Sequence, residues 1–192
     1  MARLFFVVAA ALTIASAVSS ATSGRLSGTT RAADRPEASA VVWLDGPPGA
    51  PSVPAGKVVL DQRNLDFFPH VLVVRVGTVV EFPNNDRVFH NVFSFHNGKR
   101  FDLGLYPIGT TRRVTFDHPG LSRIFCNIHP NMGAHVMVVD SPYFTLSDEE
   151  GHFAIPAIPA GAYTYHAWRP GRPDLTGSVT VGLSTVLDLS WK

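Results

Sequence analysis

Short apolar segments separated by turn-forming residues are the feature that most constrains the fold of this chain. The segments are bounded by Gly, Pro, Asn or Asp, and no window shows the apolar period of about 3.6 residues that marks an amphipathic helix. Strands spaced about 8–12 residues apart are typical of a β-sandwich or a β-barrel. The sequence therefore predicts an all-β protein. The predicted strands of the main region are residues 57–61, 71–76, 78–82, 90–95, 112–116, 122–125 and 134–139.

The first residues have the layout of a secretory signal peptide. Arg3 precedes an apolar run, and small residues at 15–17 and 19–21 offer cleavage sites. Because the run is shorter than the roughly 20 residues that span a bilayer, we predict a cleaved signal at residues 1–21 and no stable membrane insertion afterwards. The protein is therefore expected in the periplasm or outside the cell. Residues 22–39 are polar and lack an apolar period, which predicts a flexible leader.

The charge balance excludes some partners. The chain has 16 basic and 15 acidic residues, and cleavage of the signal removes Arg3 and no acid. A charge near zero is not typical of a protein that binds nucleic acid or an anionic membrane surface. The sequence also has no nucleophile elbow that would favour a hydrolase. We therefore expect a protein that does not bind nucleic acid and is not a hydrolase of this class.

The single cysteine lies in the stretch FCNIHPNM. A disulfide within the chain needs a second cysteine, so Cys126 is a buried inert thiol, part of an intermolecular disulfide, or a thiolate bound to a metal. His129 and Met132 follow at intervals of three residues, and His90 opens a predicted strand after a polar turn. A thiolate, two imidazoles and a thioether are the donor set of a blue copper site. The presence of these other donor residues favours a metal-bound Cys126 thiolate over an inert thiol.

The same residues resemble the cupredoxin family. The segments VRVGTVVEFPN, His-Asn-Val at 90–92 and the loop Cys-x-x-His-x-x-Met at 126–132 are similar to the family's strands and ligand loops, with the short loop of the amicyanin-like members rather than the longer loop of the plastocyanins. The resemblance implies a cupredoxin Greek-key β-sandwich over residues 57–140. It also implies one type 1 copper ion per chain, held by His90, Cys126, His129 and Met132.

Two asparagines are implied to support that site. By the same resemblance, the backbone N–H of Asn91 would donate to the sulfur of Cys126, and its side chain would tie the two ligand loops together. Asn127 occupies a position where the family often has Ser or Thr, so the tie is expected to be altered there.

A second unit is predicted from residues 40–46 together with 141–192. The segment DEEGHFAIPAIPAGAYTYHAW resembles the transthyretin-like fold of carboxypeptidase regulatory-like domains. About 50 residues are few for an independent hydrophobic core. We therefore expect the unit to include the predicted strand at residues 40–44. The resemblance implies a small β-sandwich that serves as a spacer, or as a surface for carbohydrate or protein. Trp168 is expected in its core rather than as an exposed platform.

The functional expectation follows from the metal ligands. We expect a copper protein that carries single electrons between a donor and an acceptor protein that the sequence does not identify. Because such a carrier turns over no substrate, we expect that it is not an enzyme. Copper storage or delivery by the same ligands is one alternative. The other is a carbohydrate- or protein-binding module that uses the cupredoxin fold only as a scaffold.

Overall fold

A computed structural model describes residues 23–45, 57–95 and 98–192. All regular structure in these ranges is β-strand, which confirms the all-β prediction. The described ranges hold no helix that is long and apolar enough to cross a membrane. The predicted signal peptide and the Pro/Gly-rich segment 46–56 lie outside the described residues.

The strands are short, as the turn-rich sequence predicts. Before the main region they are β1 (Ser23–Ala32), β2 (Arg35–Pro36) and β3 (Val41–Leu44). The main region contains β4 (Val58–Val59), β5 (Asp61–Arg63), β6 (Asp66–Phe68), β7 (Val71–Arg75), β8 (Thr78–Pro83), β9 (His90–Ser94), β10 (Phe101–Tyr106), β11 (Thr111–Phe116), β12 (Gly120–Phe125) and β13 (Gly133–Val139). After it come β14 (Phe144–Leu146), β15 (His152–Pro159), β16 (Gly161–Trp168), β17 (Leu175–Val181), β18 (Thr185–Val186) and β19 (Leu189–Trp191).

The main region forms a two-layer sandwich. One sheet has the strand order β10-β9-β12-β13-β7 and the other has the order β11-β8-β4. Alternate residues of each strand point inward, because side chains of a β-strand alternate between its two faces. The inward side chains form one buried cluster, which includes Val74, Val80, Phe82, Val92, Val114, Phe116, Ile124 and Val136.

A second sandwich is built from the two ends of the described chain. One layer has β1 between β15 and β18, and β2 and β19 also pair with β1. The other layer has the order β14-β3-β16-β17, so β3 lies inside the second unit. Between the layers lies a separate buried cluster that includes Leu26, Val42, Leu44, Phe153, Ile155, Ile158 and Trp191.

Strand β1 corrects the prediction of a flexible leader at residues 22–39. The segment is polar because Leu26 is its only large apolar residue, yet Leu26 is fully buried. Its glycines allow a close approach of the C-terminal segment. A Cβ atom added at Gly24 or Gly28 would overlap the backbone oxygen of Gly182 or Leu187, respectively. Strand β1 is therefore stabilised by backbone pairing and close approach, which a search for apolar periodicity does not detect.

The two sandwiches contact each other through a third apolar cluster. Trp168 and Val41 of the second sandwich pack with Met137 and Val139 on the outer face of β13. Trp168 is 7% exposed, which confirms that it is buried rather than an exposed platform, but it lies in the contact between the sandwiches and not in the core of the second unit. The ring of His135, also on β13, lies 5.4 Å from the ring of Trp168. The second sandwich thus covers the part of the outer face formed by β7 and β13.

Removal of the Leu26 side chain tests the structural role of β1. Leu26→Ala should lower the free energy of unfolding by about 2–5 kcal/mol, because it leaves a cavity between the two layers of the second sandwich. Arg25→Ala is the matched control, because Arg25 is exposed on the same strand, and it should change stability by less than about 0.5 kcal/mol. Chemical denaturation of both variants measures the difference. Equal stabilities would show that residues 23–32 are a leader after all.

Burial of His135 predicts a pH dependence of stability. Burial, and then the charge of Arg123, lower the pKa of His135 below its ordinary value. The unfolded chain therefore binds this proton more readily than the folded protein. The free energy of unfolding should rise with pH between the folded pKa and the ordinary value of about 6.5. His135→Gln should reduce this rise in denaturation curves, whereas an unchanged rise would contradict the assignment.

Candidate metal centre

The pairing of β9 with β12 brings the predicted ligands together. The two strands are antiparallel, with Phe125 opposite Phe93. The start of β9, at His90, therefore lies beside the end of β12, where Cys126 follows directly. The loop that connects β12 to β13 carries His129 at the same end of the sandwich.

Three donor atoms form a compact triangle. The Sγ atom of Cys126 lies 3.9 Å from Nδ1 of His90 and 3.7 Å from Nδ1 of His129, and the two nitrogens are 3.0 Å apart. A point equidistant from the three atoms lies about 2.1 Å from each, which is close to the distances at which imidazole nitrogen and thiolate sulfur bind a zinc-sized ion. The donor set and its spacing thus fit a metal ion. Within the described part of the chain, this is the one such cluster of His, Cys, Asp or Glu side chains.

The triangle is buried on one side and open on the other. His90 is fully buried and Cys126 is 4% exposed, whereas His129 is partly exposed. Water is therefore excluded from two of the three donors. His129 is the one of these three ligand residues that reaches the surface.

Met132 lies at the inner side of the ligand loop. Its side chain is 1% exposed and belongs to the same apolar cluster as Cys126. Its backbone N–H donates to the carbonyl oxygen of His129 at 3.0 Å, which closes a turn within the loop. The turn returns the chain to the core just before β13 begins. The role of Met132 as an axial ligand stays a prediction.

Asp86 orients His90, a role that is not among the predictions from the sequence. Its Oδ2 atom lies 3.0 Å from Nε2 of His90. A carboxylate on one ring nitrogen holds the proton there and leaves Nδ1 free to bind a metal. Burial by itself would raise the pKa of Asp86, but the backbone N–H of Leu65, the His90 ring and the backbone N–H of Arg87 lower it overall. The sequence signal for this role is an acidic residue four positions before a candidate ligand.

Asn84 fixes the turn that carries Asp86. Its side-chain oxygen accepts the backbone N–H of Asp86 at 3.0 Å, and its amide donates to the carbonyl oxygens of Val88 and Tyr106. Tyr106 lies opposite His90 in the ladder between β10 and β9. Its side chain is fully buried, and burial raises the pKa of its hydroxyl. The turn is thus tied to the strand beside the ligand.

The two predicted supporting asparagines behave differently from each other. Asn91 is buried, and its amide donates to Oδ1 of Asp102 on β10 at 2.6 Å. The side chain therefore ties β9 to β10, rather than tying the two ligand loops together. The charged carboxylate of Asp102 is a stronger hydrogen-bond acceptor for the Asn91 amide than the neutral side chain of Asn127. Asn127 itself is exposed. The predicted donation from the Asn91 backbone to the Cys126 sulfur stays a prediction.

The chain is similar over part of its length to solved structures of copper proteins. A copper-containing nitrite reductase from Thermus scotoductus is 28% identical over 47% of this chain, with a TM-score of 0.42, and the match spans only 24% of that protein. A purple cupredoxin from Nitrosopumilus maritimus is 27% identical over 43% of this chain and 100% of its own, with a TM-score of 0.40. Amicyanin from Paracoccus versutus is 26% identical over 45% of this chain and 85% of its own, with a TM-score of 0.40. No protein-family model and no curated protein sequence matches the chain.

Substitution of Asp86 tests its role in orienting His90. Asp86→Asn should lower metal affinity by about 10–100-fold, because the ring of His90 loses its carboxylate partner. Asp66→Asn is the matched control, since Asp66 lies 3.5 Å from His70 with the same four-residue spacing, outside the triangle. Competition with a chelator for Zn²⁺ and for copper measures both affinities. Equal affinities in the two variants would contradict the role.

Proposed function

We propose that this protein binds one copper ion and carries single electrons between redox proteins. The observation that supports the proposal is the triangle of Cys126, His90 and His129 donor atoms, whose spacing fits one ion. A thiolate with two imidazoles is the equatorial ligand set of blue copper sites. Copper bound by such ligands supplies a one-electron couple between Cu(II) and Cu(I).

The surroundings of the ligands support rapid electron exchange rather than substrate turnover. His90 is held by Asp86 on one side, and Cys126 is buried in the core of the sandwich. Ligands that are held by their neighbours do not have to rearrange when the charge of the site changes. With Met132 as the fourth ligand, the site has no open position of the kind that catalytic metal sites keep for a substrate. We therefore propose a carrier and not an enzyme.

The exposed edge of His129 is the proposed point of electron exit. Apolar side chains are exposed in the segments next to His90 and Tyr106 and in the ligand loop itself. Phe89 and Ile108 are each 56% exposed and Ile128 is 45% exposed. Exposed apolar side chains grouped at one site are typical of a surface that contacts a partner protein.

Storage or delivery of copper is the second candidate function. It would use the same four residues, but a delivery site must release its ion quickly to another ligand. Burial of His90 and Cys126 favours slow release, and so favours the carrier. The location in the periplasm or outside the cell is part of the proposal and is supported only by the sequence of residues 1–21.

The second sandwich is proposed to be a transthyretin-like spacer. Its sheets enclose their own apolar core, and one of them packs on the outer face of the first sandwich. A spacer of this kind would hold the metal centre in a fixed orientation relative to any protein that the second sandwich contacts. Carbohydrate binding by this unit is the alternative that the sequence suggests.

The visible absorption spectrum tests the proposed copper–thiolate bond. The copper-loaded protein should show an intense blue band that is bleached by a reductant, and Cys126→Ser should abolish it. Met132→Leu should keep the band but alter its intensity and the reduction potential. Met137→Leu is the matched control, because Met137 lies in the contact between the sandwiches. A colourless wild-type protein that still binds copper would contradict the carrier function, and rapid loss of copper to a mild chelator would favour delivery.

A further inference from the structure

The turn at the tip of the β5–β6 hairpin departs from the residues that such a turn prefers. Arg63 lies opposite Asp66, so Asn64 and Leu65 form the whole turn. Their φ values are positive, at 55° and 59°. A hairpin turn with two positive φ values favours Asn followed by Gly, because a Cβ atom is strained in the left-handed region. Leu65 stands where Gly is preferred, and strained backbone of this kind clusters at functional sites.

The backbone of Leu65 contacts the carboxylate that orients His90. Its N–H donates to Oδ2 of Asp86 at 2.7 Å. The same oxygen lies 3.0 Å from Nε2 of His90, so one atom joins the tip of the hairpin to the ring of a candidate ligand. The other oxygen, Oδ1, accepts the backbone N–H of Arg87 at 2.8 Å. Two backbone donors therefore fix the direction in which Asp86 presents Oδ2 to His90.

Further hydrogen bonds hold the hairpin against the turn that carries Asp86. The backbone N–H of Asn85 donates to the carbonyl oxygen of Gln62 at 3.0 Å. The side-chain amide of Asn85 donates to Oδ1 of Asp61 at 2.8 Å. Both acceptors belong to β5, so the position of the hairpin relative to Asp86 is set along the strand as well as at the tip.

Gln62 anchors the hairpin to the core of the first sandwich. Strands β5 and β6 form a sheet of only two strands, and such a hairpin has little stability of its own. Gln62 is fully buried, and its amide donates to the carbonyl oxygen of Pro83 at 3.0 Å and to the hydroxyl oxygen of Tyr106 at 2.6 Å. The hairpin is thus fixed to β8 and β10, the strands on either side of the turn that holds Asp86.

We propose that Leu65 is a positioning residue of the metal centre, which acts through Asp86 on His90. Its backbone N–H holds the carboxylate where Oδ2 accepts the proton on Nε2 of His90, so that Nδ1 is left free in the donor triangle. The backbone at the tip keeps a strained conformation, and this conformation presents the N–H to Asp86. The inference rests on the metal centre of the proposed function, but it does not depend on electron transfer.

Replacement of one backbone N–H by an ester oxygen tests the positioning role. Leucic acid, the α-hydroxy analogue of leucine, incorporated at position 65 keeps the side chain and removes the donor. It should lower the affinity for Zn²⁺, measured by competition with a chelator, by about threefold to tenfold, as expected for one net hydrogen bond. The matched control is the same replacement at Leu187, whose N–H donates to the carbonyl oxygen of Ser27 in the second sandwich at 2.9 Å. The control should leave the Zn²⁺ affinity unchanged.

Two further measurements separate positioning from a general loss of stability. Asp86→Ala removes the carboxylate through which Leu65 acts, so the ester at position 65 should cause no further loss of Zn²⁺ affinity in that variant. In the metal-free protein, ¹⁵N NMR of the His90 ring should show the proton on Nε2, and the ester should shift part of the population to Nδ1. Leu65→Gly keeps the N–H and should behave as the wild type in both measurements.

Two results would overturn the positioning role of Leu65. Equal losses of Zn²⁺ affinity from the ester in the wild-type chain and in Asp86→Ala would show that the hairpin acts through stability alone. A His90 ring spectrum that the ester leaves unchanged would show that this N–H does not control the ring. Because the measurements use Zn²⁺ and the metal-free protein, a missing blue band would refute the electron carrier and leave this result intact.

Discussion

The antiparallel pairing of β9 with β12 is the interaction on which the candidate metal centre depends. It brings the start of β9 and the end of β12 to the same end of the sheet, so His90 and Cys126, which follows β12 directly, meet although 35 residues separate them along the chain. The same pairing puts Phe93 opposite Phe125 on the outer face. One ladder therefore positions both the donor triangle inside the sandwich and the aromatic surface outside it.

Polar contacts next to the triangle prepare it for a metal ion. Asn84 holds the turn, Asp86 in that turn binds the ring of His90, and Asn91 ties the same strand to Asp102. Asn84, His90 and Asn91 are buried, where hydrogen bonds are electrostatically stronger than in water. The ring of His90 and its strand are thus held in place by neighbouring residues, which fits a metal site of fixed geometry.

The contact between the two sandwiches divides the outer face of the larger sheet. Trp168 closes one half with Met137 and Val139, and its ring lies against His135, whose pKa burial lowers. The other half, on β9 and β12, carries the rings of Phe93 and Phe125. The second sandwich thus covers the β7 and β13 part of this face.

The sequence by itself determined the class of fold and the candidate ligands. Turn residues between short apolar segments predict strands because they act locally, and the spacing of Cys126, His129 and Met132 lies within one loop. Only the tertiary structure decided what depends on distant segments. Strand β1 is polar and is stabilised by backbone pairing with β15 and β18, so no apolar period reveals it. The partner of Asn91 on β10 likewise follows from the register of neighbouring strands, because a one-residue shift would turn the side chain to the opposite face.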